Sequence, residues 1–200
     1  MKHESKGSRR ALAIAILAVA AIGIGFLADF IITCFEKNAY PREYAEYVEA
    51  YAEQYGVPET LVFAIIRTES SFDSGAVSSA GAVGLMQILP DTFEWLTNEI
   101  LFDHLESGML YDPETNIKYG TYLLSRYYDR YGDWKLVFAA YNGGPGNLDK
   151  WLEDPEYADG EGGLKKIPFR ETRNYVRKVT DAWDTYERLY GEEYQAETVQ

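Results

Sequence analysis

The chain has 200 residues, 46% of them hydrophobic, which is room for one domain of ordinary size plus an anchor or tail. A net charge of −13 excludes nucleic acid as a partner, because neutralising phosphates takes clustered Lys and Arg. It also gives no long-range attraction to an anionic surface, so recognition has to be short-range. The single Cys34 rules out an intrachain disulfide and, with only two His, a zinc-type cluster; neither a metal nor a cofactor is expected.

Residues 1–10 carry Lys2, Lys6, Arg9 and Arg10 against Glu4, and Ala11 to Ala28 then runs without a charge. After Asp29 the apolar run resumes to Phe35, so the stretch exceeds the roughly 20 residues that cross a bilayer. The basic flank is expected to stay in the cytoplasm, with residues 11–35 as a signal-anchor and everything after it outside. A cleaved signal peptide ending near Ala18-Val19-Ala20 is the alternative, and lipidation at Cys34 a further one; the length of the apolar run favours the anchor.

Pro41 to Tyr55 has Tyr44, Tyr47, Val48, Tyr51 and Tyr55 at helical spacing, with Gly56 at the stop. Tyrosine suits sugar faces, but most of the 17 here are assigned to the core. The next helix opens at Pro58-Glu59 and is apolar on every side from Leu61 to Ile66, which marks it as buried. Glu69 follows on the same side, in the last turn. Desolvation and the free carbonyls of a helix C-terminus both raise a carboxyl's pKa, and an acid still protonated near neutrality is what a general acid has to be. The competing reading is an ion pair with Arg67 or a distant Arg.

Ser71 to Gly84 is rich in small and turn-forming residues and reads as loop or short irregular strand, followed by Gln87 among apolar neighbours. A buried acid, a hydroxyl-rich loop and an amide suit a hydroxylated substrate. Taken singly, Ser78 is a turn residue, Gln87 a capping amide and Tyr141 a core tyrosine.

Asp91 and Glu94 predict a capping-box start for a helix through Leu96. Asn98 to Leu110 reads as short helix and loop. Asp112-Pro113 begins a long helix ending at Gly132, in which Gly120 implies close packing. Asp133 caps an apolar helix from Trp134 to Tyr141 that stops at Asn142-Gly143-Gly144-Pro145-Gly146. Glu153 to Lys166 reads as an exposed loop, Arg170 to Tyr190 as the last helix, and Gly191 onward as a frayed acidic tail.

Glu69-Ser70-x-Phe72, Ala76-Val77-Ser78, Gly81-Ala82-x-Gly84-Leu85-Met86-Gln87, Asp112-Pro113-x-x-Asn116-Ile117-x-x-Gly120 and Ala140-Tyr141-Asn142-Gly143-Gly144-Pro145-Gly146 occur in this order. With Glu171-Thr172-Arg173-x-Tyr175-Val176 they resemble the soluble lytic transglycosylase domain, a relative of goose-type lysozymes, over most of 44–190. The resemblance implies a mainly α, lysozyme-like domain over 36–191, before an acidic tail at 192–200. It implies cleavage of peptidoglycan glycan strands between N-acetylmuramic acid and N-acetylglucosamine, with Glu69 as acid and then as base, closing a 1,6-anhydro ring. Ser78, Gln87, Tyr141, Asn142 and Tyr175 would line the cleft, Tyr141 holding Glu69. At Leu89 the family commonly has Met. Protein partners are left open. A hydrolytic muramidase using Asp73 or Asp91 as base, and a tethered wall-binding module without turnover, are the alternative functions.

Overall fold

A computed structural model of the chain describes residues 6–197; of the expected flank and tail, residues 1–5 and 198–200 lie outside the described residues. Two units separate at Pro41, Met1–Pro41 and Arg42–Gln200.

The first unit is a single helix, α1 (Lys6–Ala39). From Ile14 to Ala39 it has a mean hydropathy of 2.5, and none of the apolar window is buried. Its length and composition are those of a helix able to cross a membrane. Side chains such as Ile14, Phe26 and Phe30 are exposed.

The second unit is helical: α2 (Ala45–Tyr55), α3 (Glu59–Glu69), α4 (Pro90–Trp95), α5 (Pro113–Tyr131), α6 (Trp134–Gly143), α7 (Pro145–Glu153) and α8 (Arg170–Glu197). A wide π-type turn follows α4 at Leu96–Ile100, and a 3-10 turn at Ser107–Tyr111 precedes α5. Pairing between extended segments is confined, among the described residues, to three isolated bridges, Val77 with Val83, Val83 with Ile88 and Ala158 with Leu164.

α3 is the centre. Every residue from Thr60 to Ile66 is buried, as its all-round apolar sequence requires. α8 and α2 pack on it, and α6 packs on α8, α5 and α7. Phe63 meets Tyr186 of α8 at 5.7 Å between ring centroids. Gly56 ends α2 and Gly132 ends α5, each with φ near +65°, the left-handed conformation that closes a helix without a Cβ penalty.

Three local expectations give way. α4 starts at Pro90, with Leu89 at the cap and no side-chain cap bond, so Asp91 sits inside the first turn and the capping box is not formed; proline's fixed φ starts the helix one residue earlier. α7 is an additional helix directly after the Gly-Gly turn, begun by Pro145 and holding Leu148 and Trp151 in the core. α8 runs past Gly191 to Glu197, since the residues after that glycine are good helix formers.

Candidate active site

Glu69 occupies the last position of α3. Part of the residue reaches solvent, but its carboxyl is desolvated, and that burial pushes its pKa from the ordinary 4.5 to about 7. The one opposing influence is the Tyr175 hydroxyl, whose hydrogen bonding favours the carboxylate. No ion pair with Arg67 is needed to account for this behaviour, and a charge partner would have driven the pKa down.

The backbone turns hard behind the acid. Ser71 and Phe72 both take left-handed conformations, with φ of 52° and 68°. A bulky residue pays for that conformation by roughly 1–3 kcal/mol of strain. Burial of the Phe72 ring against Phe63, at 6.5 Å between centroids, offsets it.

Two tyrosines close over Glu69 from different helices. Tyr175, in the first turns of α8, is 7% exposed, and its hydroxyl is buried with no partner at full hydrogen-bonding geometry. That hydroxyl lies near enough to Glu69 to feel its charge, and both burial and the carboxylate hold the phenol well above its usual pKa. A buried phenol with incomplete hydrogen bonding is an unspent donor beside the acid. Tyr141, near the end of α6, also feels Glu69, and burial likewise raises its pKa well above the usual value. Its hydroxyl donates to the Met86 carbonyl at 2.8 Å, so its hydrogen bond goes to the loop between α3 and α4 and not to the carboxyl.

That loop is fixed from below by a residue that the sequence placed in a motif without a role. Asn116 on α5 is fully buried; its Oδ1 accepts from the Met86 amide at 2.7 Å, and its Nδ2 donates to the carbonyls of Val83 and Leu110 at 2.9 and 2.8 Å. Gly84, with φ +81°, lies so close that a Cβ there would stand 2.2 Å from Asn116 Nδ2 and 2.4 Å from the Leu110 carbonyl. Gly120 does the same one turn on: a Cβ would stand 2.4 Å from Met86 Sδ. An asparagine at the fourth position of a Pro-started helix, on its buried side next to Ile117, is the signal that marks such a clamp.

Gln87 has φ 51°, and its Nε2 donates to the carbonyls of Ala76 and Gly84 at 3.1 and 2.9 Å, tying the two arms of the loop together. Ser78 is exposed, and its contacts lie within its own turn: Oγ accepts from the Ala82 amide at 3.0 Å. Asn142 is exposed near the end of α6. Glu69, Tyr141 and Tyr175 are therefore drawn together and Gln87 braces the loop that Tyr141 bonds to, whereas Ser78 and Asn142 are exposed and no contact ties them to Glu69 among the described residues. Asp73 and Asp91 are exposed, Asp73 accepting from the Gly75 amide at 2.9 Å. Among the described residues, no three of His, Cys, Asp and Glu gather so as to hold a metal ion.

The family model for the transglycosylase SLT domain matches residues 46–161. The soluble lytic murein transglycosylase of Escherichia coli (strain K12) is 36% identical over 157 residues, covering 77% of this chain and 24% of that protein. The membrane-bound lytic murein transglycosylase C of Pectobacterium atrosepticum is 33% identical over 178 residues, covering 76% of this chain and 48% of that one. The crystal structure of the 70 kDa soluble lytic transglycosylase of Escherichia coli superposes with a TM-score of 0.69 at 34% identity, over 78% of this chain and 26% of that one. An inactive glutamate-to-glutamine mutant of the lytic transglycosylase Slt from Pseudomonas aeruginosa superposes with a TM-score of 0.67 at 33% identity, over 74% and 24%. This chain thus spans about a quarter of the length of the soluble relatives it matches.

Proposed function

The chain belongs to the transglycosylase SLT domain family, and from that premise we propose that it is a lytic transglycosylase of peptidoglycan, a lyase cleaving the β-1,4 bond between N-acetylmuramic acid and N-acetylglucosamine. The observation that carries the reading is the carboxyl of Glu69, buried at the end of α3 with Tyr141 and Tyr175 beside it and half protonated near pH 7. Glu69 gives its proton to the glycosidic oxygen as the bond breaks, while the substrate's 2-acetamido group stabilises the cation at C1. The carboxylate left behind takes the proton of the muramic 6-hydroxyl, whose oxygen bonds to C1 and closes the 1,6-anhydro ring. Glu69 ends protonated, ready for another cycle, and no water is consumed. One carboxyl suffices because acid and base act in turn. A relative described as inactive with one glutamate changed to glutamine accords with an essential carboxyl.

The Tyr175 hydroxyl suits a substrate oxygen in the cleft, and Gln87, Ser78 and Asn142 suit sugar hydroxyls and amides on its open side. The layout that goes with this reading has residues 1–10 in the cytoplasm, 11–35 as a single-pass anchor, the catalytic domain 36–191 outside, and the acidic tail 192–200. α1 supports the anchor by length and apolar character. Mass spectrometry of digested sacculi tests the reaction: anhydro-muramic ends are expected, and reducing muramic ends, heavier by one water, would make the protein a hydrolase.

A further inference from the structure

The start of α6, the end of α5 and the middle of α8 enclose an open groove of about 580 Å³, within the range of small-molecule sites. Four rings line it, Tyr128, Trp134, Phe138 and Trp183, with the carboxylates of Asp133 and Asp184 at its edge. Trp134 stacks on Tyr128 at 4.2 Å between centroids and meets Trp183 edge to face at 6.1 Å. Trp134 and Tyr141 lie at opposite ends of α6, so the groove stands about 10 Å along the helix from the tyrosine beside Glu69.

An aromatic cluster that served only as core would be closed. Here Tyr128 is 39% exposed and both indoles are part-exposed, while Phe138 beneath them is buried. The arrangement is rigid. Trp183 Nε1 donates to Thr60 Oγ1 at 3.1 Å and to Glu187 Oε1 at 3.3 Å, which fixes the indole before any ligand arrives. Asp133 caps α6 through Oδ1, which accepts from Lys135 and Leu136 amides.

A pyranose ring is complementary to such a surface: its C–H face packs on aromatic rings, and its hydroxyls donate to carboxylates. Anionic ligands meet two carboxylates there against one ammonium, Lys135. We propose that this groove is a second glycan-binding site, which holds the sugar backbone of a peptidoglycan strand away from the cleft at Glu69. The proposal rests on the peptidoglycan reading for the identity of the sugar. Holding a long strand at a second point raises its effective concentration at the cleft. With a net charge of −13 the chain has no long-range pull on an anionic wall, and a short-range second contact supplies retention that electrostatics does not.

The test uses the full chain in detergent, with purified sacculi and a soluble GlcNAc–MurNAc tetrasaccharide as probes. In the Glu69→Gln background, Tyr128→Ala is expected to weaken retention on sacculi about tenfold, whereas Tyr128→Phe, which keeps the ring, stays within twofold. With Glu69 intact, Tyr128→Ala leaves tetrasaccharide turnover within twofold. Unchanged sacculus binding by Tyr128→Ala overturns the proposal, and so does equal loss in both Tyr128 variants or tetrasaccharide turnover falling in step with binding. Should the unsubstituted chain cleave no peptidoglycan, the reading of Glu69 fails, while a Tyr128-dependent retention on sacculi would still establish the groove.

Discussion

Under the proposed mechanism, the carboxyl that activity needs is also one that costs the fold stability at alkaline pH. Its pKa is raised in the folded chain, from 4.5 to about 7, so the folded state holds the proton more tightly than the unfolded one. The stability linked to that proton is fully present below pH 4.5 and is lost as pH rises through about 7. Glu69→Gln removes the carboxylate that has to be buried at alkaline pH. We expect the variant to melt above the wild type at pH 8, with the gap closing by pH 5, in parallel thermal scans. The same substitution is expected to lower cleavage by roughly 10²-fold or more, read as release of soluble muropeptides; a mutant keeping a tenth of the rate would move the proton donor elsewhere. The acid form of Glu69 falls away above pH 7, so kcat/KM should decline on that side. Tyr175→Phe removes the one hydroxyl that favours the carboxylate, and its alkaline limb is expected to shift to higher pH. Because it also deletes a buried hydroxyl without a full partner, it should not lower the melting temperature.

Elements rather than single side chains give the site its shape, and here the sequence was legible unevenly. α3 could be read because six consecutive apolar residues admit few other fates, and the acid four residues on had to be near the buried side. Asp112 and Asp133 were readable as caps because capping chemistry is local, and both side chains accept backbone amides as expected. The segment between α3 and α4 was readable as loop or short irregular strand but its path was not, since Ser71, Phe72 and Gln87 adopt left-handed conformations that their residue types disfavour; tertiary packing overrides the local preference. α7 was hidden by its Gly-Gly-Pro-Gly start, which reads as a turn until Leu148 and Trp151 are seen to be buried. The role of Asn116 was not readable because two of its three partners, Met86 and Val83, lie some thirty residues away in sequence, and only Leu110 is near. Asn116→Ala would leave the Met86 amide and two carbonyls without their bonds, at a cost of about 3 kcal/mol or more, measurable by chemical denaturation. Gly120→Ala has opposing effects: helix propensity gains about 1 kcal/mol, but the new Cβ runs into Met86. Net destabilisation is expected, and adding Met86→Ala should recover part of it in a double-mutant cycle.

At the scale of the whole molecule, an apolar helix and a catalytic domain serve one purpose if the first holds the second at the wall. If α1 is an anchor, the 200-residue chain is expected to stay with membranes through a high-salt wash, because apolar burial is insensitive to salt, and residues 42–200 are expected to be protease-accessible from the outside only. Release into the soluble fraction of a chain shortened at its N-terminus would point to cleavage instead. The fold class was readable from motif order and helical periodicity together. The expectation of a membrane anchor rests on α1 alone.

The clamp formed by Asn116 bears on heat. A single side chain fastens the peptide at Met86 and the carbonyls of Val83 and Leu110, and Met86 in turn receives Tyr141. Segments tied through one knot do not loosen one at a time. Warming should therefore leave any cleavage activity in place until the whole domain melts, with the inactivation and unfolding curves superimposed.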